Sequence, residues 1–117
     1  HAVKHLAWQE RRGRRLPSTA DRRSLEHCAG WLQRERALVE PAVIVALGPT
    51  AARALLGHEA GGAAAAKPPS TNAHETPAGT VIATLDPAQV LREADPAARR
   101  AAQSTLVAAL RLAGGAR

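Results

Sequence analysis

Residues 41–57, PAVIVALGPTAARALLG, decide the fold of this chain. Residues 43–47 are an uninterrupted apolar run without polar alternation, which predicts a strand buried on both faces of a parallel sheet. Gly48 permits a tight turn, and residues 50–56 followed by Gly57 predict a short helix and its end. Ligands of open parallel sheets bind beyond the carboxyl ends of the strands. The turn at Gly48 is therefore the first place to expect a binding site.

The N-terminal side of this stretch predicts a strand end, a loop and a helix. Residues 1–8 have the composition of a strand leaving the sheet, and residues 9–19 predict a basic exposed loop, because glycine and proline interrupt it. Thr19 or Asp21 is placed to cap the helix that follows. The inward stripe of this helix is predicted to hold Leu25, Cys28, Leu32 and Val39.

The C-terminal side predicts a loop, a strand and a last helix. Residues 58–79 have low complexity and no periodicity, which predicts one long flexible loop. Residues 80–85 predict a strand that ends in an abrupt turn at Asp86, and Asp95 is placed to cap a final helix. The inward face of that helix is predicted to hold Leu106, Val107, Leu110 and Ala113. This order predicts a three-layer α/β fold, a right-handed parallel sheet with flanking helices.

Composition bounds the size of the core and the compartment. A chain of 117 residues forms one domain with a modest core, and its apolar residues are mostly Ala, Leu and Val. Because methionine is absent, we expect the chain to be a piece of a longer protein. No stretch approaches the ~20 apolar residues of a membrane span, and the N-terminus lacks the apolar run of a signal peptide. We therefore expect a cytoplasmic protein without a membrane partner, and a monomer when intact.

Charge and cysteine content bear on the partners. The net charge of +6 is carried almost wholly by arginine, whose planar guanidinium group suits phosphate oxygens, so nucleic acid is the expected partner. A GC-rich genome would also produce scattered arginines, but it explains less well the cluster Arg11, Arg12, Arg14 and Arg15. The only cysteine, Cys28, forms no internal disulfide. It is either a small buried hydrophobic residue or a metal ligand.

Five motifs follow one another along the chain. They are AVKH at 2–5, GRRL at 13–16, the pattern C..WL..E at 28–35, the 41–57 stretch, and DPAQVLR at 86–92. In this order they resemble the iron–sulfur uracil-DNA glycosylases, namely family 4 and the related branch that crosslinks to uracil-DNA. The resemblance implies the C-terminal part of that fold. It also implies an intact protein that flips uracil out of DNA and hydrolyses its N-glycosidic bond in base-excision repair.

The resemblance implies a DNA-binding edge. The implied DNA contacts are Lys4, Arg14, Arg15, Gly48, Thr50, Pro87, Val90, Leu91 and Arg92. The loop of the last three would wedge into the duplex, where an apolar side chain fills the vacated stack and Arg92 holds a phosphate. Two plainer readings stay open. Leu91 could be an ordinary core residue at a helix start, and Gly48 with Thr50 could form a plain strand-to-helix connection.

The chain departs from the family at its catalytic positions. His1 stands where the family has the asparagine that reads uracil, and Asp86 stands where it has the histidine that stabilises the departing base. An ionised carboxylate there would repel the negative charge that develops on uracil. Pro17 replaces the nucleophilic histidine of the crosslinking branch, so covalent capture is not expected. Three interpretations remain: an enzyme when intact, a degenerate DNA-binding relative, or a half-domain without its own function.

The resemblance also implies a 4Fe-4S cluster. Four ligands hold the cluster in these enzymes, and only two of the four positions fall on this chain, at His5 and Cys28. Cysteine is usual at the first of these positions. Histidine is a ligand in some iron–sulfur centres, where it raises the redox potential.

Overall fold

The computed structural model describes residues 1–57, 72–77 and 79–115. The chain divides into two compact units, His1–Val39 and Glu40–Arg117. The first unit contains β1 (Trp8–Arg11), β2 (Arg14–Pro17) and α1 (Arg22–Val39). The second contains β3 (Val43–Leu47), α2 (Gly48–Leu56), β4 (Asn72–Thr76), β5 (Gly79–Thr84), α3 (Pro87–Arg92) and α4 (Pro96–Gly115).

Strands β1 and β2 form an antiparallel hairpin whose eight residues are all exposed. Arg12 and Gly13 form its turn and both have positive φ, as a two-residue hairpin turn requires. The predicted strand over 1–8 and loop over 9–19 are therefore wrong, because no strand precedes Trp8 and the hairpin occupies most of the loop. The sequence carries no alternating apolar signal here, since neither face of the hairpin is buried.

Helix α1 begins at the cap that the sequence offered as one of two choices. The Oδ1 atom of Asp21 accepts the backbone N–H of Ser24 at 2.8 Å, so Asp21 rather than Thr19 is the cap. Cys28 is buried, whereas Val39 is 72% exposed, so its predicted inward position is wrong. The N-terminal segment contacts α1 at Cys28 and Glu35, and Val39 lies one turn beyond these contacts.

The sheet of the second unit has the order β3-β5-β4. Strands β3 and β5 are parallel, as predicted, but β4 pairs with β5 in the antiparallel sense, so the sheet is mixed. Strand β4 and the start of β5 fall within the predicted loop 58–79, and residues 58–71 lie outside the described residues. The β4 sequence NAHET is polar and lies on an edge of the described sheet, where an apolar pattern is not required.

Helices flank the sheet. Ala52 of α2 packs with Ala46, Val81 and Ala83 in a fully buried cluster. Because side chains alternate along a strand, Ile82 points to the opposite face, and it too is fully buried. Helices α2 and α4 each contact both β3 and β5. The structure is thus a mixed α/β fold with flanking helices.

Helix α4 packs through one face, on which Ala109 is the buried residue. Its cap is Asp95, whose Oδ2 atom accepts the N–H of Ala98 at 2.8 Å, as the sequence predicts. Ala109 is fully buried, whereas Leu110 is 50% exposed and Val107 is also exposed, so their predicted inward positions are wrong. Leu106 and Ala113 are half-buried on the same face as Ala109, so these two of the four predicted positions do face inward. Among the described helices, none is long and apolar enough to cross a membrane.

Candidate active site at the carboxyl edge of the sheet

The two parallel strands end side by side and lead into adjacent turns. Leu47 at the end of β3 lies opposite Thr84 at the end of β5. Gly48 then begins α2, and Asp86 precedes α3. Gly48 has φ +85°, and a Cβ placed on it would lie 3.0 Å from the Asp86 Cβ. The two turns that the sequence singled out are therefore in direct contact.

Asp86 acts as the cap of α3. Its Oδ1 atom accepts the N–H of Ala88 at 2.9 Å, and its backbone carbonyl accepts the N–H of Gln89 at 2.9 Å. Pro87 occupies the first helical turn, where a missing N–H has no cost. The carboxylate therefore has a structural role that accounts for an aspartate at this position.

The N-terminus of α2 faces the same edge without a side-chain cap. Its N-cap residue is Leu47, which makes no side-chain cap bond, and Pro49 has no N–H. The amide of Thr50, the third residue of the helix, therefore belongs to the N-terminal groups that lack a partner within the helix. Such groups favour an anion, because the helix dipole is positive at this end. The predicted phosphate contact of Gly48 and Thr50 stays a prediction.

Helix α3 presents the two residues that follow Val90. Val90 is 8% exposed, so it is a core residue and its predicted part in the wedge is wrong. Leu91 is 79% exposed, so the plainer reading of Leu91 as a core residue is also wrong. Arg92 is exposed beside it. Leu91 and Arg92 have the exposure that a wedge and a phosphate contact require.

Thr84 is a polar group at this edge that the sequence reasoning missed. Its side chain is buried at the last position of β5, and among the described residues its Oγ1 atom has no hydrogen-bond partner. A buried hydroxyl without a partner carries a desolvation cost of about 1–3 kcal/mol. The available signal was a threonine near the end of the otherwise apolar run VIATL.

The predicted cluster ligands lie together in the first unit. Cys28 is buried, and its Sγ atom accepts the N–H of Lys4 at 3.5 Å. The His5 Nδ1 atom lies 3.7 Å from the same sulfur. No group of three metal-ligating side chains occurs in the ranges that the structure covers. The predicted ligation of a cluster by His5 and Cys28 stays a prediction.

The first unit contains two further predicted site residues, Lys4 and His1. The Lys4 ammonium donates to Glu35 Oε2 at 2.6 Å, and this bond is the largest cause of a pKa of Glu35 below its ordinary value. A phosphate contact by Lys4 would compete with that ion pair. His1 is exposed, and its proposed correspondence to the uracil-reading residue stays a prediction.

Arg14 and Arg15 belong to the hairpin of the first unit. Both are exposed, and the Arg15 guanidinium carbon lies 4.3 Å from the centre of the Trp8 ring. Pro17 ends β2 opposite Trp8 and offers no nucleophile. The basic segment is thus an ordered hairpin that presents its charges to solvent.

The structure is a mixed α/β sheet whose parallel strands end in adjacent turns, and the carboxyl edge is where ligands of such sheets generally bind. The family model described as the uracil DNA glycosylase superfamily matches residues 2–111, and the chain belongs to that superfamily. Its general role is accordingly uracil-DNA glycosylase-like, in DNA repair. A comparison with curated proteins finds no match.

Proposed function

We propose that this chain takes part in removing uracil from DNA by hydrolysis of the bond between the base and deoxyribose. The observation that carries the proposal is the contact between the turns at Gly48 and Asp86, together with the exposure of Leu91 and Arg92 in the helix that Asp86 caps. Ligands of parallel sheets bind at this edge, and membership of the superfamily supplies the substrate class.

Access to the bond requires that the nucleotide leave the stack. The bond is inaccessible in a duplex, so the enzyme extrudes the nucleotide and compensates the lost stacking. Leu91, whose side chain is 79% exposed, is the residue to fill the gap, and Arg92 is the residue to hold a phosphate beside it. The uncapped amides of α2 provide a second phosphate contact on the neighbouring turn.

The second candidate function is DNA binding without catalysis. It is favoured by Asp86, whose carboxylate is held by the Ala88 N–H where the resembling enzymes place an imidazole. A group that stabilises developing negative charge is worth about 10²–10³ in rate, and a carboxylate provides none of this. The two candidates share the DNA-binding edge and differ in whether the base is released.

We propose further that His5 and Cys28 supply two ligands of a 4Fe-4S cluster. A bound cluster would supply a redox centre in the first unit. The buried Cys28 sulfur, its Lys4 N–H donor and the adjacent His5 ring support this assignment. Iron and acid-labile sulfide are measured after anaerobic preparation, together with Cys28→Ala and a control, Ser24→Ala. Loss of iron in Cys28→Ala alone is expected, and equal iron in all three proteins would refute the assignment.

The function is tested by base release from a duplex with a single uracil. Leu91→Ala should lower base release, whereas Leu110→Ala, an exposed leucine on α4, should leave it unchanged. Asp86→His should raise release, because an imidazole there donates to the departing base. If the unsubstituted chain binds DNA but releases no base, and the Asp86→His variant does release it, DNA binding without catalysis is the function of this chain. Absence of both release and DNA binding in all variants would refute both candidates.

A further inference from the structure

The hairpin of the first unit places like charges against each other. Arg11 and Arg14 are directly paired across β1 and β2. Like charges in such a pair are destabilising, and an isolated two-stranded hairpin is marginal in water. We call the hairpin, Trp8–Arg11 with Arg14–Pro17 and its two-residue turn, the basic ribbon. The Arg11–Arg14 pair therefore does not serve the stability of the ribbon, whereas Arg15 lies opposite Glu10 and over Trp8.

The basic ribbon has four arginines and one glutamate, Glu10. No carboxylate among the described residues lies within ion-pair distance of these guanidinium groups. Arg12 stands at the tip beside Gly13, where positive φ at both residues makes the narrow turn. A thin, two-stranded element thus carries uncompensated positive charge to its end.

The register distributes the arginines over both faces. Neighbouring residues of a strand point to opposite faces, so the Arg11–Arg14 pair lies on one face and Arg15 on the other, with Trp8. Stacking on Trp8 occupies the flat side of the Arg15 guanidinium and leaves its N–H edge available for phosphate. Two arginines therefore project from one face, and the other face carries Arg15 with Glu10 directly opposite it.

We propose that the basic ribbon inserts into the major groove of double-stranded DNA. The inference rests on the proposed function in taking DNA as the partner, and it adds that this element prefers a duplex. A groove of about 12 Å admits a two-stranded ribbon, and phosphates line both of its walls. The arginines on the two faces match the two walls. The contacts are made to the backbone and carry no base sequence information.

The surroundings of Trp8 favour a duplex over a single strand. Proteins that bind single strands stack bases on open aromatic rings. Trp8 is the aromatic residue of the ribbon, and the Arg15 guanidinium lies over its ring. Arg15 thus covers one face of the Trp8 ring, which is 46% exposed in all, and this reduces the surface left for stacking a base. An A-form RNA duplex is also disfavoured, because its major groove is deep and narrow.

The test compares two variants that lose the same charge. R11Q/R14Q alters the ribbon, and R100Q/R111Q removes two exposed arginines from α4. Binding to a uracil-free DNA duplex, to one of its strands and to an RNA duplex is measured over a range of salt concentrations. Each phosphate contact contributes about 0.9 to the salt slope, so R11Q/R14Q should lower the duplex slope by about two. When the salt concentration is lowered about fourfold, the ratio of the binding constant of the unsubstituted chain to that of R11Q/R14Q should rise about 12-fold.

R100Q/R111Q should change the duplex slope less, and single-strand binding should be the same for parent and R11Q/R14Q. Equal slope changes in the two variants would overturn the proposal, as would an equal loss on single-stranded DNA or stronger binding to the RNA duplex. R11Q/R14Q should keep its fold because it removes a repulsion, and the fluorescence of Trp8 and Trp31 checks this. The readout needs no base release, so failure of the glycosylase proposal is detected separately.

Discussion

Gly48→Ala tests the contact between the two turns at the carboxyl edge. Gly48 has φ +85°, where a side chain costs about 1–2 kcal/mol. The new methyl group would lie 3.0 Å from the Asp86 Cβ, so one of the two turns must move. Overpacking of this kind costs about 1–3 kcal/mol. We expect Gly48→Ala to lower the free energy of unfolding by about 2–5 kcal/mol in total.

Gly57→Ala is the matched control for the backbone cost. Gly57 also has a positive φ, but a methyl group there meets no atom within 4 Å. Both tryptophans lie outside the unit Glu40–Arg117, so fluorescence does not report on this region. Amide hydrogen exchange of Val81 and Ala83 in β5 is measured instead, because it reports on the stability of this unit. If Val81 and Ala83 exchange as slowly in Gly48→Ala as in the unsubstituted chain, the close approach of the turns is refuted.

A second variant isolates the contact itself. Asp86→Gly removes the opposing Cβ, and glycine at a helix cap costs only a few tenths of a kcal/mol. In the double variant with Gly48→Ala, the overpacking term should disappear. The coupling free energy should therefore be about 1–3 kcal/mol in favour of the double variant. Simple additivity would show that the two side-chain positions do not meet.

Three further perturbations test the described contacts. The Lys4 ammonium lowers the pKa of Glu35 below its ordinary 4.5. This pair therefore contributes stability above pH 4.5, and the contribution is lost as the pH falls through the lowered pKa. Glu35→Gln should remove that part of the pH dependence when stability is measured in an acid titration. Asp21→Ala should cost about 1 kcal/mol, seen as faster amide exchange in the first turn of α1. Ala109→Val should lower stability by about 1–3 kcal/mol in chemical denaturation, whereas Ala108→Val on the exposed side should have little effect.

The sequence predicted the elements whose signals are local. The apolar run 43–47 with glycine behind it predicted β3 and the start of α2, because burial on both faces leaves an unbroken pattern. Asp95 was correctly recognised as a cap, since a side-chain acceptor before a helix is visible in the sequence. The structure adds that the turns at Gly48 and Asp86 touch, because parallel neighbours end at the same edge of the sheet.

The remaining features depend on partners that a sequence pattern does not contain. The basic ribbon and β4 lack an apolar face, so no periodicity distinguishes them from loops. The opposite exposures of Val90 and Leu91 depend on the direction in which α3 leaves the sheet. The closeness of Ala109 to the sheet reflects available space, which side-chain hydrophobicity does not indicate.

The cap at Asp86 links the conformational stability of this edge to its chemistry. An imidazole in place of the carboxylate would supply a proton donor but would give up the bond to the Ala88 N–H. Variants selected for base release should therefore have a less stable first turn of α3, and variants selected for thermal resistance should keep aspartate. The residue marks a trade-off between activity and stability that mutational selection under either pressure would expose.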